Sequence, residues 1–114
     1  MKLIKSPIPL SLLQDMAKSR FGILVKAVVD IEKGIMVVDA DLHADQEAFL
    51  LKNGSKQAYL WGINIYPDLP KDQWIEFDSM INLRPSSGNT SRGVDDPKIQ
   101  EKIIKIVSKL IKGK

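Results

Sequence analysis

Two of the chain's three arginines, Arg84 and Arg92, bracket a run of proline, serine, glycine, asparagine and threonine at residues 85–91. A planar guanidinium grips a carboxylate or phosphate at two points, and backbone amides around a glycine can join it. Arg84, Ser86, Ser87, Gly88, Asn89, Ser91 and Arg92 are therefore candidate ligands for a small anion. The run contains no GxxxxGK[ST] and no GxGxxG, so it matches no nucleotide-binding loop. A plainer use competes: Arg84 pairs with Glu76, Asp78 or Asp95, while Asn89 and the serines hydrogen-bond the turn.

A second set is acidic. Asp39, Asp41, His43, Asp45 and Glu47 follow one another closely, and Glu76 and Asp78 are candidates to join them in space. Carboxylates with one imidazole suit a divalent metal, and a further carboxylate suits a general base to bound water. His43, Asp45, Glu47, Glu76 and Asp78 thus define the alternative of a metal-dependent hydrolase acting on a phosphoester or amide. Neither HExxH nor a calcium-loop pattern is present, and a single histidine excludes a two-histidine site. Acid runs are also common as solvated faces. Nucleophilic serine chemistry has no G-x-S-x-G elbow to support it.

Lysines 98, 102, 105, 109 and 112 form a basic stripe along the last helix. With Trp61, Tyr66 and Trp74 they allow a nucleic-acid reading, but an amphipathic helix needs a polar face in any case, so that partner is not favoured. Six acids against one base between Asp30 and Glu47, and six lysines against one acid from Lys98 onward, make the chain electrically two-ended. A homodimeric interaction module held by charge complementarity is the third reading.

Hydrophobic periodicity supplies the frame for these residues. Residues 2–5 read as a strand stopped by Pro7 and Pro9, and Leu10, Leu13, Met16 and Ala17 as a helix ended by Gly22. Residues 23–31 and 35–40 form a hairpin turning at Glu32-Lys33-Gly34. Residues 44–54 favour a helix with Ala44, Ala48 and Leu51 on its apolar stripe, although a continued strand would line up the acids on one face. Residues 60–66 are a strand, joined by a proline- and aspartate-rich loop to a long alternating strand at residues 74–83. On that strand Ile75, Phe77, Ser79, Ile81 and Leu83 face the core, and Trp74, Glu76, Asp78, Met80, Asn82 and Arg84 face out. Asp96-Pro97 opens the last helix, whose stripe is Ile99, Ile103, Ile106, Val107, Leu110 and Ile111. The expected fold is a single α+β domain, a mostly antiparallel sheet of about five strands with helices packed on one face.

The segments LHADQEAFLL, GSKQAYLWGINIYP and WIEFDSMINLRPSSGNTSRGVDDPKI, with the opening Pro-Ile-Pro-Leu helix start, resemble a family of small bacterial proteins of unknown function. The resemblance runs nearly the full length and implies one domain of one kind. It implies no activity and no catalytic residue. Thr90 departs from it, since arginine is usual at that position.

At 114 residues, 44% hydrophobic and 27% charged, the chain can bury one core and not two. No apolar run is long enough to span a membrane, and the prolines interrupt any signal sequence, so the chain is expected in the cytoplasm. Zero cysteines agree, and they remove disulfides and thiolate chemistry. The preferred function is a binding or regulatory domain holding an anion at the loop from Arg84 to Arg92.

Overall fold

The computed structural model describes residues 1–113. In chain order the elements are β1 (Lys2–Ile4), β2 (Ile8–Pro9), α1 (Leu10–Ser19), β3 (Val25–Asp30), β4 (Ile35–Val38), α2 (His43–Lys52), β5 (Leu60–Ile65), β6 (Ile75–Glu76), α3 (Pro97–Leu110) and β7 (Ile111–Lys112). Short 3₁₀ turns fill much of the rest, including Met80–Asn82 and Pro85–Ser87. The main sheet is antiparallel throughout, in the order β1-β4-β3-β5-β6.

The valine-rich β3 and β4 lie at its centre, as their β-branched composition favours. Their turn is organised by the buried Asp30, whose Oδ1 accepts from the amides of Glu32 and Lys33 at 2.9 and 3.0 Å and whose Oδ2 accepts from the Ser55 hydroxyl at 2.7 Å. Gly34 closes the turn at φ +68°, a conformation glycine adopts without a Cβ penalty.

The α+β architecture with five antiparallel strands is the expected one, but the helices do not share one face. Ala27, Val29, Met36, Val38 and Ile63 pack with Leu13 and Ala17 of α1 and Ile103 and Val107 of α3. Val28, Val37 and Leu60 pack on the other face, against Leu50 and Phe49 of α2. Val28 and Val37 are apolar on the side that a half-solvated sheet would leave polar, and they require a cover of their own. A parallel pair, Ile8 with Ile111 and Pro9 with Lys112, ties the start of α1 to the end of α3 and had no sequence signal.

The long strand expected at residues 74–83 also breaks. β6 pairs with β5 only through Ile75 and Glu76. The chain then climbs over β5 and coils at Met80–Asn82, which buries Asn82 completely and leaves Leu83 43% exposed, the reverse of strict alternation. Gly62 permits this crossing. A Cβ there would lie 2.6 Å from both Cβ and Oγ of Ser79 and 3.2 Å from Cγ1 of Ile81.

Gly62→Ala is therefore expected to force Ser79 and Ile81 off β5, at a cost of about 1–3 kcal/mol. Thermal unfolding should show a melting temperature lower by several degrees, and an unchanged melting temperature would refute the close approach.

Candidate functional site

Three polar side chains complete hydrogen-bond ladders where strands stop short. Gly62 gives its N–H to Asn82 Oδ1 at 2.8 Å, and its carbonyl accepts from Asn82 Nδ2 at 2.9 Å. The same Nδ2 reaches Arg92 O at 2.9 Å. One residue pair further along the β5 edge, the carbonyl of Leu60 accepts from Arg84 Nη2, whose Nε donates to Ile81 O at 3.2 Å. On β3, beyond the end of β4, Lys26 O accepts from Gln46 Nε2 at 2.7 Å. Each group replaces a neighbouring strand that is absent at that level.

This bonding decides the fate of the loop at residues 84–92. Arg84 lies with its guanidinium 4.5 Å from the centre of the Trp61 ring, and burial pulls it below its ordinary pKa, with Glu47 opposing. Asn89 is buried and organises the turn: its Nδ2 donates to the carbonyls of Asn82, Ser91 and Gly93, and its Oδ1 accepts from the Asp95 amide at 2.8 Å. Ser91 donates to Asp95 Oδ1 at 2.5 Å, and with the Thr90 amide this holds the Asp95 carboxyl below the usual carboxylate range. Ser86 and Ser87 are exposed, and the amides of Ser87, Gly88 and Asn89 are spent on carbonyls within the loop. Arg84, Ser87, Gly88 and Asn89 border a cavity of about 380 Å³ that also holds Asp95 and Asp96. Arg92 lies elsewhere, exposed, with Nε 2.8 Å from Asp78 Oδ1.

The five metal candidates do not gather. Among the described residues no three histidine, aspartate or glutamate side chains converge into a metal-binding group. His43 turns inward and donates through Nε2 to Ile63 O at 2.7 Å. Asp45 is exposed in the first turn of α2, Glu47 leaves Oε2 buried without a partner, and Glu76 Oε1 accepts from Asn64 Nδ2 and the Tyr66 hydroxyl at 2.8 and 3.0 Å. Burial and that contact raise the Tyr66 pKa. Asp39 and Asp41 are taken by the third arginine, Arg20, at 3.1 and 2.7 Å. Residues 43–52 are helical, but rotated from the expected stripe: Ala44, Ala48 and Leu51 are exposed, while His43, Gln46 and Leu50 are buried. The rotation follows from the bonds of His43 and Gln46 to sheet carbonyls, which turn a polar stripe inward.

Members of both candidate sets meet at a cleft of about 320 Å³ between the first turn of α2 and the segment that crosses β5. Lys26 and Asn64 line it from the sheet, His43 and Ala44 from the helix, and Asp78 and Arg92 from the crossing segment and the loop end. Leu42 and Met80, 54% and 63% exposed, also border it. α2 begins at Leu42 with no side-chain cap, so its first amides carry the helix's partial positive charge, with the exposed Asp45 the one acid in that turn. Burial holds His43 below its ordinary pKa. Lys26 and Arg92 push it further down, against its hydrogen bond to Ile63 and the charge of Asp78. Lys26 has no carboxylate partner among the described residues, and its ammonium lies 5.3 Å from the Phe21 ring centre. The lysines of α3 are exposed and do not reach this cleft. Sequence reasoning missed Lys26 and Asn64, whose only signal was two polar residues facing each other in the β3–β5 register.

Fold and cleft together define a small α+β domain with helices on both faces of an antiparallel sheet and one polar cleft at the mouth of α2. The chain belongs to the family described as protein of unknown function (DUF5674), which matches residues 2–110. No curated protein and no solved structure matches it. No helix among the described residues is long and apolar enough to cross a membrane.

Two outcomes follow from the site's bonding. Asn82→Ala leaves the amide and carbonyl of Gly62 without their partner, while the carbonyl of Arg92 keeps the Ser79 amide, at about 1–3 kcal/mol for each unpaired group that stays buried. Denaturant melts should show one of the larger losses of any single polar substitution in the chain, and a loss under about 1 kcal/mol would refute the ladder role. His43, being depressed in the folded state, contributes stability that is fully present above its unfolded pKa of about 6.5 and is lost as pH falls toward the folded value. His43→Gln should flatten the fall in stability between about pH 7 and 5, and equal slopes in both proteins would contradict this.

Proposed function

We propose that this chain is a binding domain for a small anion, a carboxylate or phosphate, and that the ligand lies in the cleft at the mouth of α2. Arg92 is then the one member of the arginine loop that serves the ligand directly, and Arg84 serves the sheet. The observation that carries the reading is the charge balance around His43. Two cations, Lys26 and Arg92, and a helix start without a side-chain cap meet there; Asp78, the one carboxylate lining the cleft, is bonded to Arg92, and Asp45 in the first turn of α2 is exposed. Lys26 has no carboxylate partner among the described residues, and an incoming anion is the partner that would complete it. The cavity beside Arg84 is the poorer choice for an anion, because Asp95 and Asp96 border it.

Phosphate and short carboxylates at saturating concentration are expected to raise the melting temperature, with about 2.7 kcal/mol gained at a hundred times the dissociation constant. Lys26→Met keeps the apolar stem and should remove most of that gain while the protein stays folded. No gain with any anion, or the same gain in Lys26→Met, would refute the proposal.

A further inference from the structure

We propose that the ligand of this cleft carries a hydroxyl beside its anionic group, as a hydroxycarboxylate or a hydroxylated phosphate ester does, and that this hydroxyl gives its one proton to Asn64 Oδ1, with His43 lining the same cleft. The inference rests on the anion reading of the same cleft and adds what the anion must carry.

It comes from two hydrogen-bond tallies. The carbonyl of Ile63 can only accept, so the His43 Nε2 that sits 2.7 Å from it must hold the proton. A neutral imidazole has one proton, and Nδ1 is left as a lone pair with no donor from the described residues. His43 is only 8% exposed. Asn64, equally buried, gives Nδ2 to Glu76 Oε1 at 2.8 Å, which fixes its amide, since a carboxylate cannot donate. Its Oδ1 is buried without a partner. The Tyr66 hydroxyl offers it nothing, being bonded to the same Glu76 oxygen at 3.0 Å.

One cleft therefore presents two kinds of unfilled group: the Lys26 ammonium, which calls for an anion, and Asn64 Oδ1, which calls for a donor. Acetate answers only the first. A ligand ammonium would answer the second, but it would stand beside Lys26 and Arg92 while Asp78 is already bonded to Arg92. A hydroxyl donates without adding charge. Leu42 and Met80 at the mouth provide cover for an apolar remainder.

The test uses matched pairs that differ by one hydroxyl: 2-hydroxy-4-methylpentanoate against 4-methylpentanoate, and 2-hydroxypropyl phosphate against propyl phosphate. Calorimetric titration gives the affinities. Because the chain has one histidine, the nitrogen spectrum of its imidazole reports on His43 alone. In at least one pair the hydroxylated member should bind about tenfold or more tightly and shift the Nδ1 resonance, and the pair that does so tells carboxylate from phosphate. Asn64→Ala, checked for folding by its amide spectrum, should bring the affinities of that pair together while the hydroxyl-free member still binds. Equal binding within both pairs, with Nδ1 unmoved, would overturn the hydroxyl and leave the anion reading standing. No binding by any of the four to the folded protein would overturn both.

Discussion

A strand that outlasts its neighbour leaves amides and carbonyls facing nothing, and buried groups of that kind are too costly to leave unpaired. β5 outlasts β6, and β3 outlasts β4. Much of the chain's polar design answers this. Asn82 supplies both a donor and an acceptor to Gly62, Arg84 covers Leu60 O, and Gln46 covers Lys26 O. The amide of Asn82 matches a backbone peptide in its donor and acceptor, and so it can stand in for a strand that has turned away.

The cleft exists because of these substitutions. For Asn82 to reach Gly62, residues 77–82 must cross the sheet where an ordinary side chain would block them, and Gly62 has none. The crossing brings Asp78, Ser79 and Met80 opposite the first turn of α2, and the loop held by Asn89 returns Arg92 to the same place. Gln46 and His43 anchor α2 by bonds to Lys26 O and Ile63 O, which sets its mouth over the Lys26–Asn64 pair. The walls of the cleft are thus rigid for reasons of backbone satisfaction, and the side chains left over face it already positioned.

Charge is distributed by the same logic. Arg20 absorbs Asp39 and Asp41, Asp95 is engaged by Thr90 and Ser91, and Arg84 is bonded to carbonyls over Trp61. What remains near His43 is a small positive excess in a half-enclosed space, where it is less screened than on an open surface.

The three α-helices, the β3–β4 hairpin, the Asp96-Pro97 start of α3 and the antiparallel α+β class were legible in the sequence, because periodicity, capping residues and turn glycines act over a few residues. Arg92, His43 and Asp78 were legible as polar candidates, but in two separate sets. Only the tertiary structure united them, added Lys26 and Asn64 and withdrew Arg84, since which backbone groups lack partners depends on where distant strands stop. The inward turn of α2 and the break after β6 have the same origin: a polar side chain that completes a ladder outweighs the local preference of its own segment, and no pattern along the chain announces that need.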